Sequence, residues 1–142
     1  MKTHHQFYIN GEWVDPTEGV NSFDVINPSN EEVIAQIALG TPADVDKAVA
    51  AAQAAFDSFS QTSVEERLAL LGKIVEIYQS RYDEVAETIS QEMGAPLSLS
   101  KAAQAATGLG HFAQAIEILQ GFEWEETKGK TVIRKEPIGV VG

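Results

Sequence analysis

The sequence predicts an α/β protein in which short strands lie on both sides of a helical middle. Three observations indicate this fold class: hairpin signals within residues 1–40, helical periodicity within residues 41–121, and a return to strand-like residues within 122–142. With 142 residues, 44% of them hydrophobic, the chain is long enough to form one domain around a core. It contains no repeat or low-complexity tract that would divide it.

Two hairpins are predicted at the start of the chain. In FYINGEWV, two strand-like runs flank Asn10-Gly11, a pair that tolerates the positive φ angles of a tight turn. SFDVINP and VIAQIA flank the polar corner at residues 28–32, which indicates a second hairpin with a longer loop. We expect His4 and His5 to lie in a frayed terminus and not in a metal site, because no carboxylate accompanies them at ligand spacing.

Two amphipathic helices follow the hairpins. The first begins after the N-cap Thr41, with Asp44 where a carboxylate suits the free amides of the first turn. The second begins after Ser63, whose capping box includes Glu66, and we expect it to continue without a break to Gly94-Ala95-Pro96. Apolar residues recur along both helices at spacings of three and four: Val45, Ala48, Val49, Ala52, Ala55, Phe56 and Phe59, then Leu68, Leu71, Val75, Tyr78, Tyr82, Val85 and Ile89.

A third helix is predicted from about Ser98 to Gln120, and its first half is almost free of bulky side chains. Gly108 and Gly110 lie inside it, and a glycine in a helix interior costs about 1 kcal/mol relative to alanine. A neighbouring group must therefore need the space that the glycines leave. That neighbour is either a closely packed helix or a ligand passage, and the sequence leaves both open.

Residues 108–113 read GLGHFA and match the dinucleotide fingerprint G-x-G-x-x-A. The fingerprint requires a preceding strand, so that its glycines form a turn that aims a helix N-terminus at the pyrophosphate. Here the residues before the match have a helical pattern. We therefore predict a helix at this position, and a small cofactor-binding protein that uses GLGHFA is the less favoured alternative.

The composition excludes several classes of function. A net charge of −11 repels nucleic acid and anionic membrane surfaces, so we expect neither as a partner. No apolar run is long enough to cross a membrane and no signal peptide is recognisable, so a cytoplasmic location is expected. The absence of cysteine excludes disulfides, thiolate metal sites and a cysteine nucleophile within this chain.

Residues 122–142 return to a strand-like pattern. Residues 124–127 and 131–135 are predicted to pair around a turn at Lys128-Gly129, and Pro137 separates them from a further strand, IGVVG.

Taken in order, these segments resemble the N-terminal portion of the NAD(P)-dependent aldehyde dehydrogenase superfamily. FYINGEWV and FDVINPSNEEVIAQI resemble its opening hairpins, TPADVDKAVAAAQAAF and ERLALLGKIVEIYQSRYDEVAETISQEMGAP its first two helices, and EPIGVVG the strand that enters its cofactor fold. The resemblance covers nearly the whole chain. It implies hairpins at 1–40, helices at 41–121, part of an oligomerisation sheet at 122–136, and at 137–142 the first strand of an incomplete Rossmann-like domain.

The resemblance implies an enzyme that oxidises an aldehyde to a carboxylate with NAD or NADP, using a cysteine thiolate and a glutamate. In the family these groups follow EPIGVVG, so no catalytic or cofactor-binding residue is assigned here, and we expect no cofactor to bind this chain alone. We expect an inactive fragment whose partners are the remainder of the dehydrogenase chain and the other subunits of a dimer or tetramer. The alternative is an interaction module that joins intact dehydrogenase subunits.

Two further features follow from the resemblance alone. The small-residue helix resembles the helix beside the family's substrate tunnel, and the residues that would line it are Gln104, Gly108, His111 and Phe112, with packing as the alternative role. Residues 124–135 resemble a strand pair of the oligomerisation sheet, whose exposed edge would meet a neighbouring subunit.

Many relatives also hold a structural sodium or potassium ion. The resemblance places that ion at the backbone carbonyls of Val25 and Ile26 and at Glu92, where a glutamate stands in place of the commoner aspartate.

The two apolar stripes need a sheet to cover them. Each large side chain left exposed forfeits about 1.5–3 kcal/mol of burial energy, against a total domain stability of about 5–15 kcal/mol. The isolated chain is therefore expected to be marginally stable, dynamic or self-associating.

Overall fold

Seven short strands and a series of helices make up the computed structural model, which describes residues 1–142. The strands are β1 Lys2–His4, β2 Phe7–Ile9, β3 Glu12–Val14, β4 Ser22–Asn27, β5 Glu32–Ala38, β6 Glu125–Lys128 and β7 Thr131–Arg134. The helices are α1 Pro42–Phe59, α2 Val64–Ser80, α3 Tyr82–Met93, α4 Leu97–Leu99, a π-helical stretch Ser100–Gln104 and α5 Ala105–Gln120. The predicted α/β class is confirmed.

Both predicted hairpins are present. Strands β2 and β3 pair antiparallel around Asn10 and Gly11, whose φ angles of 55° and 82° are those of a tight turn with positive φ at both positions. Strands β4 and β5 pair antiparallel, with a register shift between Val25 and Ile26. The strand order of the larger sheet is β1-β5-β4.

The expectation of a frayed N-terminus is wrong. Residues Lys2–His4 form β1, which pairs in parallel with β5 so that Lys2 lies opposite Ala35. The second edge of β5 offers unpaired amides and carbonyls, and β1 satisfies them. A three-residue polar strand carries no alternating pattern by which the sequence could reveal it.

The start of each amphipathic helix is as predicted, but the second helix is interrupted. Ser63 Oγ accepts a hydrogen bond from the Glu66 amide at 3.1 Å, and the Glu66 carboxylate accepts one from the Ser63 amide at 2.7 Å. At Arg81 the backbone leaves the helical region (φ −110°, ψ 15°) and α3 begins. Because of this break, the two helices pack on different elements. Helix α2 packs on α5, and α3 packs on β4 and on the π-helical stretch. The apolar spacing continues through the break and so conceals it.

The third predicted helix is also more complex than its pattern indicates. It begins at Leu97 and passes through the π-helical stretch before continuing as α5. At the other end of the chain, β6 and β7 pair as predicted, with Glu125 opposite Arg134.

No strand forms at residues 137–142, so that prediction is wrong for this chain. Strand geometry is stabilised by ladder hydrogen bonds to a neighbour, and no neighbour pairs with this segment. Ile138 is accordingly 94% exposed.

The core consists of small residues. Six residues are buried, and none of them is a large apolar side chain: Pro16, Ala38, Asp44, Ala86, Ser100 and Ala105. On α1, Val45 is 58% exposed and Phe59 is 55% exposed. The apolar stripe of α1 is therefore exposed along most of its length.

None of the helices is both long enough and apolar enough to cross a lipid bilayer.

Candidate functional site

The helix with the small residues packs closely against α2. A Cβ atom added at Gly108 would lie 2.6 Å from the hydroxyl oxygen of Tyr78 and 3.1 Å from its Cζ. Only glycine leaves room for the tyrosine at this point. Gly110, in contrast, faces open space. The space at Gly108 is thus filled by helix packing, one of the two roles that the sequence left open.

Two tyrosine hydroxyls fix this helix to its neighbours. Tyr78 Oη donates to the carbonyl of Ala105 at 2.9 Å, and Tyr82 Oη donates to the carbonyl of Lys101. Lys101 also forms an ion pair with Asp83 at 2.7 Å, and this hydrogen-bonded carboxylate raises the pKa of Lys101. The side chain of Ser100 is fully buried and donates to Gln104 Oε1 at 2.9 Å.

Three of the four candidate tunnel residues lie on one face of the helix. Gly108 and Phe112 are half-buried on the side of α2, where the Phe112 ring lies 6.5 Å from the Tyr78 ring. Gln104 is half-buried in the π-helical stretch, which packs on α3. His111 is exposed and lines a shallow surface depression with Gly110. The structure therefore does not bring His111 together with the other three.

GLGHFA is helical throughout, as predicted. All six residues, 108–113, lie inside α5, with helix on both sides. The glycines form no turn and aim no helix N-terminus, so the geometry that the dinucleotide fingerprint requires is not present here.

The candidate cation residues lie on two elements that approach one another. Val25 and Ile26 flank the register shift in β4, and Glu92 is exposed near the end of α3. The end of α3 lies close to the β4–β5 corner. A Cβ atom added at Gly94, the residue after the helix, would lie 3.1 Å from the Ser29 amide nitrogen, and the φ angle of Gly94 is +68°. No group of three or more His, Asp or Glu side chains is arranged to hold a metal ion.

Asp44 accepts four hydrogen bonds. Thr17 donates to its Oδ1 from the backbone amide at 2.8 Å and from the hydroxyl at 2.6 Å. Thr41 donates to Oδ2 from the same two groups, both at 2.9 Å. The Thr17 hydroxyl, followed by the Thr41 and Thr17 amides, holds the pKa of the Asp44 carboxyl well below its usual range. Asp44 thus links the loop after β3 to the start of α1.

Three residues with specific contacts were not singled out from the sequence. The predicted apolar stripe includes Tyr78 and Tyr82 without assigning them a specific contact, and no predicted feature includes Thr17. The sequence does contain a pattern that could have predicted the tyrosine contacts. Two aromatic side chains with hydroxyl groups, four residues apart, precede a helix rich in alanine and glycine, against which they could pack and donate hydrogen bonds. The bond from Thr17 to Asp44 spans 27 residues, and no local pattern reveals it.

Comparisons with known proteins agree with the resemblance. The sequence model described as "Aldehyde dehydrogenase family" matches residues 13–142. A putative aldehyde dehydrogenase of Staphylococcus aureus (strain bovine RF122 / ET3-1) is 48% identical over 142 residues, which are 100% of this chain and 30% of that protein. A 3-succinoylsemialdehyde-pyridine dehydrogenase of a Pseudomonas species is 46% identical over 143 residues, with the same shares.

Solved structures agree as well. The crystal structure of an aldehyde dehydrogenase from Bartonella henselae superposes with a TM-score of 0.88 at 43% identity, covering 92% of this chain and 27% of that one. Aldehyde Dehydrogenase C from Pseudomonas syringae, as a mutant in complex with NAD+ and octanal, gives a TM-score of 0.90 at 42% identity, covering 94% and 27%. The chain spans about 30% of the length of the curated relatives it matches. It belongs to the aldehyde dehydrogenase family, of which it represents an N-terminal portion.

Proposed function

We propose that this chain is the N-terminal scaffold of an NAD(P)-dependent aldehyde dehydrogenase that oxidises an aldehyde to a carboxylate. The observation that carries the proposal is the family match over residues 13–142 combined with a span of only 30% of a 48%-identical relative. Structures similar to this chain include the P. syringae enzyme with NAD+ and octanal and a Mycobacterium tuberculosis aldehyde dehydrogenase with NAD+.

The chemistry of the complete enzyme is assigned to polypeptide outside this sequence. In the complete enzyme a cysteine thiolate would attack the aldehyde carbon, bound NAD or NADP would supply the hydride acceptor, and a glutamate would activate the water that releases the acid. This chain has no cysteine, whereas a related S. aureus betaine aldehyde dehydrogenase was solved with a BME-modified cysteine. GLGHFA is helical and does not form the turn of the dinucleotide fingerprint, which supports assigning the cofactor site to another part of the complete enzyme.

The helical face that carries Gln104, Gly108 and Phe112 contributes to the wall of the substrate passage. Its support is the family membership together with the half-buried positions of these three residues, although the space over Gly108 itself is filled by Tyr78. His111 lies outside this shared face, so its role at the passage requires a neighbour that covers the exposed side of α5.

A structural sodium or potassium ion binds at Val25, Ile26 and Glu92 in the complete enzyme. A register shift between Val25 and Ile26 disturbs the β4–β5 ladder, and the end of α3 is held at the neighbouring corner through Gly94. Backbone carbonyls and a carboxylate are oxygen ligands of the kind that hard cations prefer.

The β6–β7 hairpin joins subunits of the complete enzyme, as a homodimer or homotetramer. It is a two-stranded sheet with both edges open, and all eight of its residues are exposed, including Val132 and Ile133. Open strand edges that bear apolar side chains favour pairing with another chain.

A chimera tests the proposed function. The matching N-terminal segment of the P. syringae enzyme is replaced by this chain, and NADH formation from octanal is followed at 340 nm. We expect turnover within about tenfold of the parent enzyme, because 42% identity and a TM-score of 0.90 indicate that the new segment presents the same surfaces. The parent enzyme without the segment, and this chain alone, should both be inactive.

Two outcomes would contradict the proposal. A folded chimera without turnover would show that this chain cannot supply the scaffold. Acid formation from octanal by the chain alone would show that it contains catalytic groups of its own. A panel of aldehydes, each tested with NAD and with NADP, extends the second result beyond one substrate pair.

A further inference from the structure

Two basic side chains near the β6–β7 hairpin are held in place by neutral acceptors and not by carboxylates. The guanidinium of Arg67 donates to the Thr62 hydroxyl at 2.9 Å and to the Ser60 carbonyl at 3.2 Å. The ammonium of Lys135 donates to the Glu123 carbonyl at 2.6 Å. Neither cation forms an ion pair, although acidic residues outnumber basic ones by 21 to 10 in this chain.

Aromatic rings fix the same two cations. The guanidinium carbon of Arg67 lies 5.7 Å from the centre of the Trp124 ring, and Lys135 Nζ lies 4.8 Å from the centre of the Phe122 ring. Both distances are within the range of cation–π attraction. The two rings are themselves in edge contact, with centroids 4.7 Å apart. These contacts hold both side chains in place without neutralising their charges.

Arg67 and Lys135 line one cleft of about 270 Å³, which lies between the start of α2 and the base of the β6–β7 hairpin. Arg134 also lines this cleft, and Glu125 is the one carboxylate among the lining residues. Glu125 is already paired with Arg134 Nε at 2.6 Å. The lining therefore carries two excess positive charges in a chain whose net charge is −11.

The other carboxylates of these elements do not line the cleft. They are Glu65, Glu66, Glu123, Glu126 and Glu136. Glu66 is engaged in the capping box of α2, Glu126 pairs with Lys128 at 3.2 Å, and Glu136 lies 3.9 Å from Arg134 Nη1. Hydroxyl groups add to the polar lining, at Ser60, Thr62 and Ser63. A polar cleft with excess positive charge favours a small anion over an apolar ligand.

We propose that this cleft binds a phosphate group, with Arg67 and Lys135 as its charged ligands. A phosphate monoester carries about −1.5 to −2 charges at pH 7, which matches the excess positive charge of the lining. Arginine and lysine both bind phosphate through charge-assisted hydrogen bonds. Each of the two side chains has more N–H donors than its bonds within the chain use. The proposal is independent of the dehydrogenase activity proposed above.

A fluorescence titration of the chain tests for binding. The sequence contains two tryptophans, so Trp13→Phe leaves Trp124, beside Arg67, as the only indole. Inorganic phosphate is added in this background while sodium chloride keeps the ionic strength constant. We expect a saturable change in the Trp124 emission. A response that does not saturate would overturn the proposal, because phosphate would then act only as a general salt.

Three further substitutions identify the phosphate ligands. Arg67→Gln and Lys135→Gln each remove one cation and should raise the Kd for phosphate at least about tenfold, because charge-assisted hydrogen bonds are the stronger kind. Lys73→Gln is the matched control, since Lys73 is exposed on α2 and pairs with Glu76, and it should leave the Kd unchanged. Circular dichroism at 222 nm checks that all three variants keep their helices. Equal Kd values for the parent and all three variants would overturn the assignment.

Crystals of the chimera of this chain and the P. syringae enzyme locate the ligand. Tungstate, a tetrahedral oxyanion with a strong anomalous signal, is soaked into them, and we expect an anomalous peak between Arg67 and Lys135. An empty cleft, or a carboxylate from the remainder of the enzyme in that position, would overturn the proposal. The proposal stands only if the chain binds phosphate and tungstate occupies the cleft, and neither result depends on turnover.

Discussion

Asp44 is the only buried carboxylate of the chain, and its environment explains why it stays charged. Four donors from Thr17 and Thr41 surround its two oxygens, and they favour the ionised form over the neutral acid. A protonated carboxyl could not accept all four bonds, because one oxygen would carry a hydrogen. The junction between the loop after β3 and α1 therefore depends on the charge of one side chain.

The charge of Asp44 predicts a dependence of stability on pH. Its pKa in the folded chain lies below the unfolded value of about 3.9, so its stabilising contribution is complete above that value. The contribution decreases as the pH falls towards the folded pKa. We expect Asp44→Asn to lower the melting midpoint by about 5 °C at pH 7, since the amide nitrogen cannot accept from the donors it faces, and to lose less further stability between pH 5 and pH 3 than the parent.

Circular dichroism at 222 nm, followed during heating at several pH values, measures this effect. Asp46→Asn is the matched control, because Asp46 lies on the same helix and is exposed. Equal losses for both variants at pH 7, with parallel pH profiles, would show that the four bonds to Asp44 contribute nothing specific.

Two glycines of one helix are predicted to behave in opposite ways. A methyl group at Gly108 would lie 2.6 Å from Tyr78 Oη and would force the hydroxyl away from the Ala105 carbonyl. A methyl group at Gly110 would meet nothing within 4 Å and would gain the helix propensity of alanine. The two substitutions are expected to differ in their effect on stability because Tyr78 packs against Gly108 and no atom packs against Gly110.

Within the chimera, where we propose that the rest of the enzyme covers the chain, we expect Gly108→Ala to lower the stability by about 1 kcal/mol and Gly110→Ala to raise it by about 0.5–1 kcal/mol, as followed by urea denaturation. In the Tyr78→Phe background the cost of Gly108→Ala should fall, because the hydroxyl that collides with the new methyl is gone. Stabilisation by both alanines would contradict the close packing of α5 on α2.

Elements defined by local chemistry could be predicted, and elements defined by distant partners could not. Asn10-Gly11 sets the first hairpin, and Ser63 with Glu66 sets the start of α2, through residues only a few positions apart. Strand β1 pairs with β5, and the hydrogen bond that Tyr82 donates to the π-helical stretch spans 19 residues. A stripe of apolar residues in the sequence predicts neither the pairing of β1 nor the π-helical turn.

The same distinction applies to the candidate site. The small residues of α5 were recognised from composition, and the helical state of GLGHFA from the residues before it. The separation of His111 from Gln104, Gly108 and Phe112 could not be predicted, because helical spacing groups all four residues. Which of them are half-buried depends on the packing of α2 and α3 against this helix.

For the whole molecule, the decisive feature is the apolar surface that stays uncovered. No large apolar side chain is buried, and Val45, Phe59 and Ile138 are more than half exposed. Burial of apolar area is the main favourable term in folding, at about 25 cal/mol per Å². A chain with so little apolar area buried gains stability from contacts with other polypeptide, and we propose that the remainder of the complete dehydrogenase supplies them.

The central claim is that this chain is a scaffold whose apolar faces are covered only in the complete enzyme. The most direct measurement compares the chain alone with the chimera by sedimentation velocity and by binding of the dye ANS. The account predicts that the chain alone self-associates or binds ANS strongly, and that the chimera sediments as a discrete oligomer with little dye bound. A chain that stays monomeric, binds no ANS and melts in one sharp, reversible transition would contradict it.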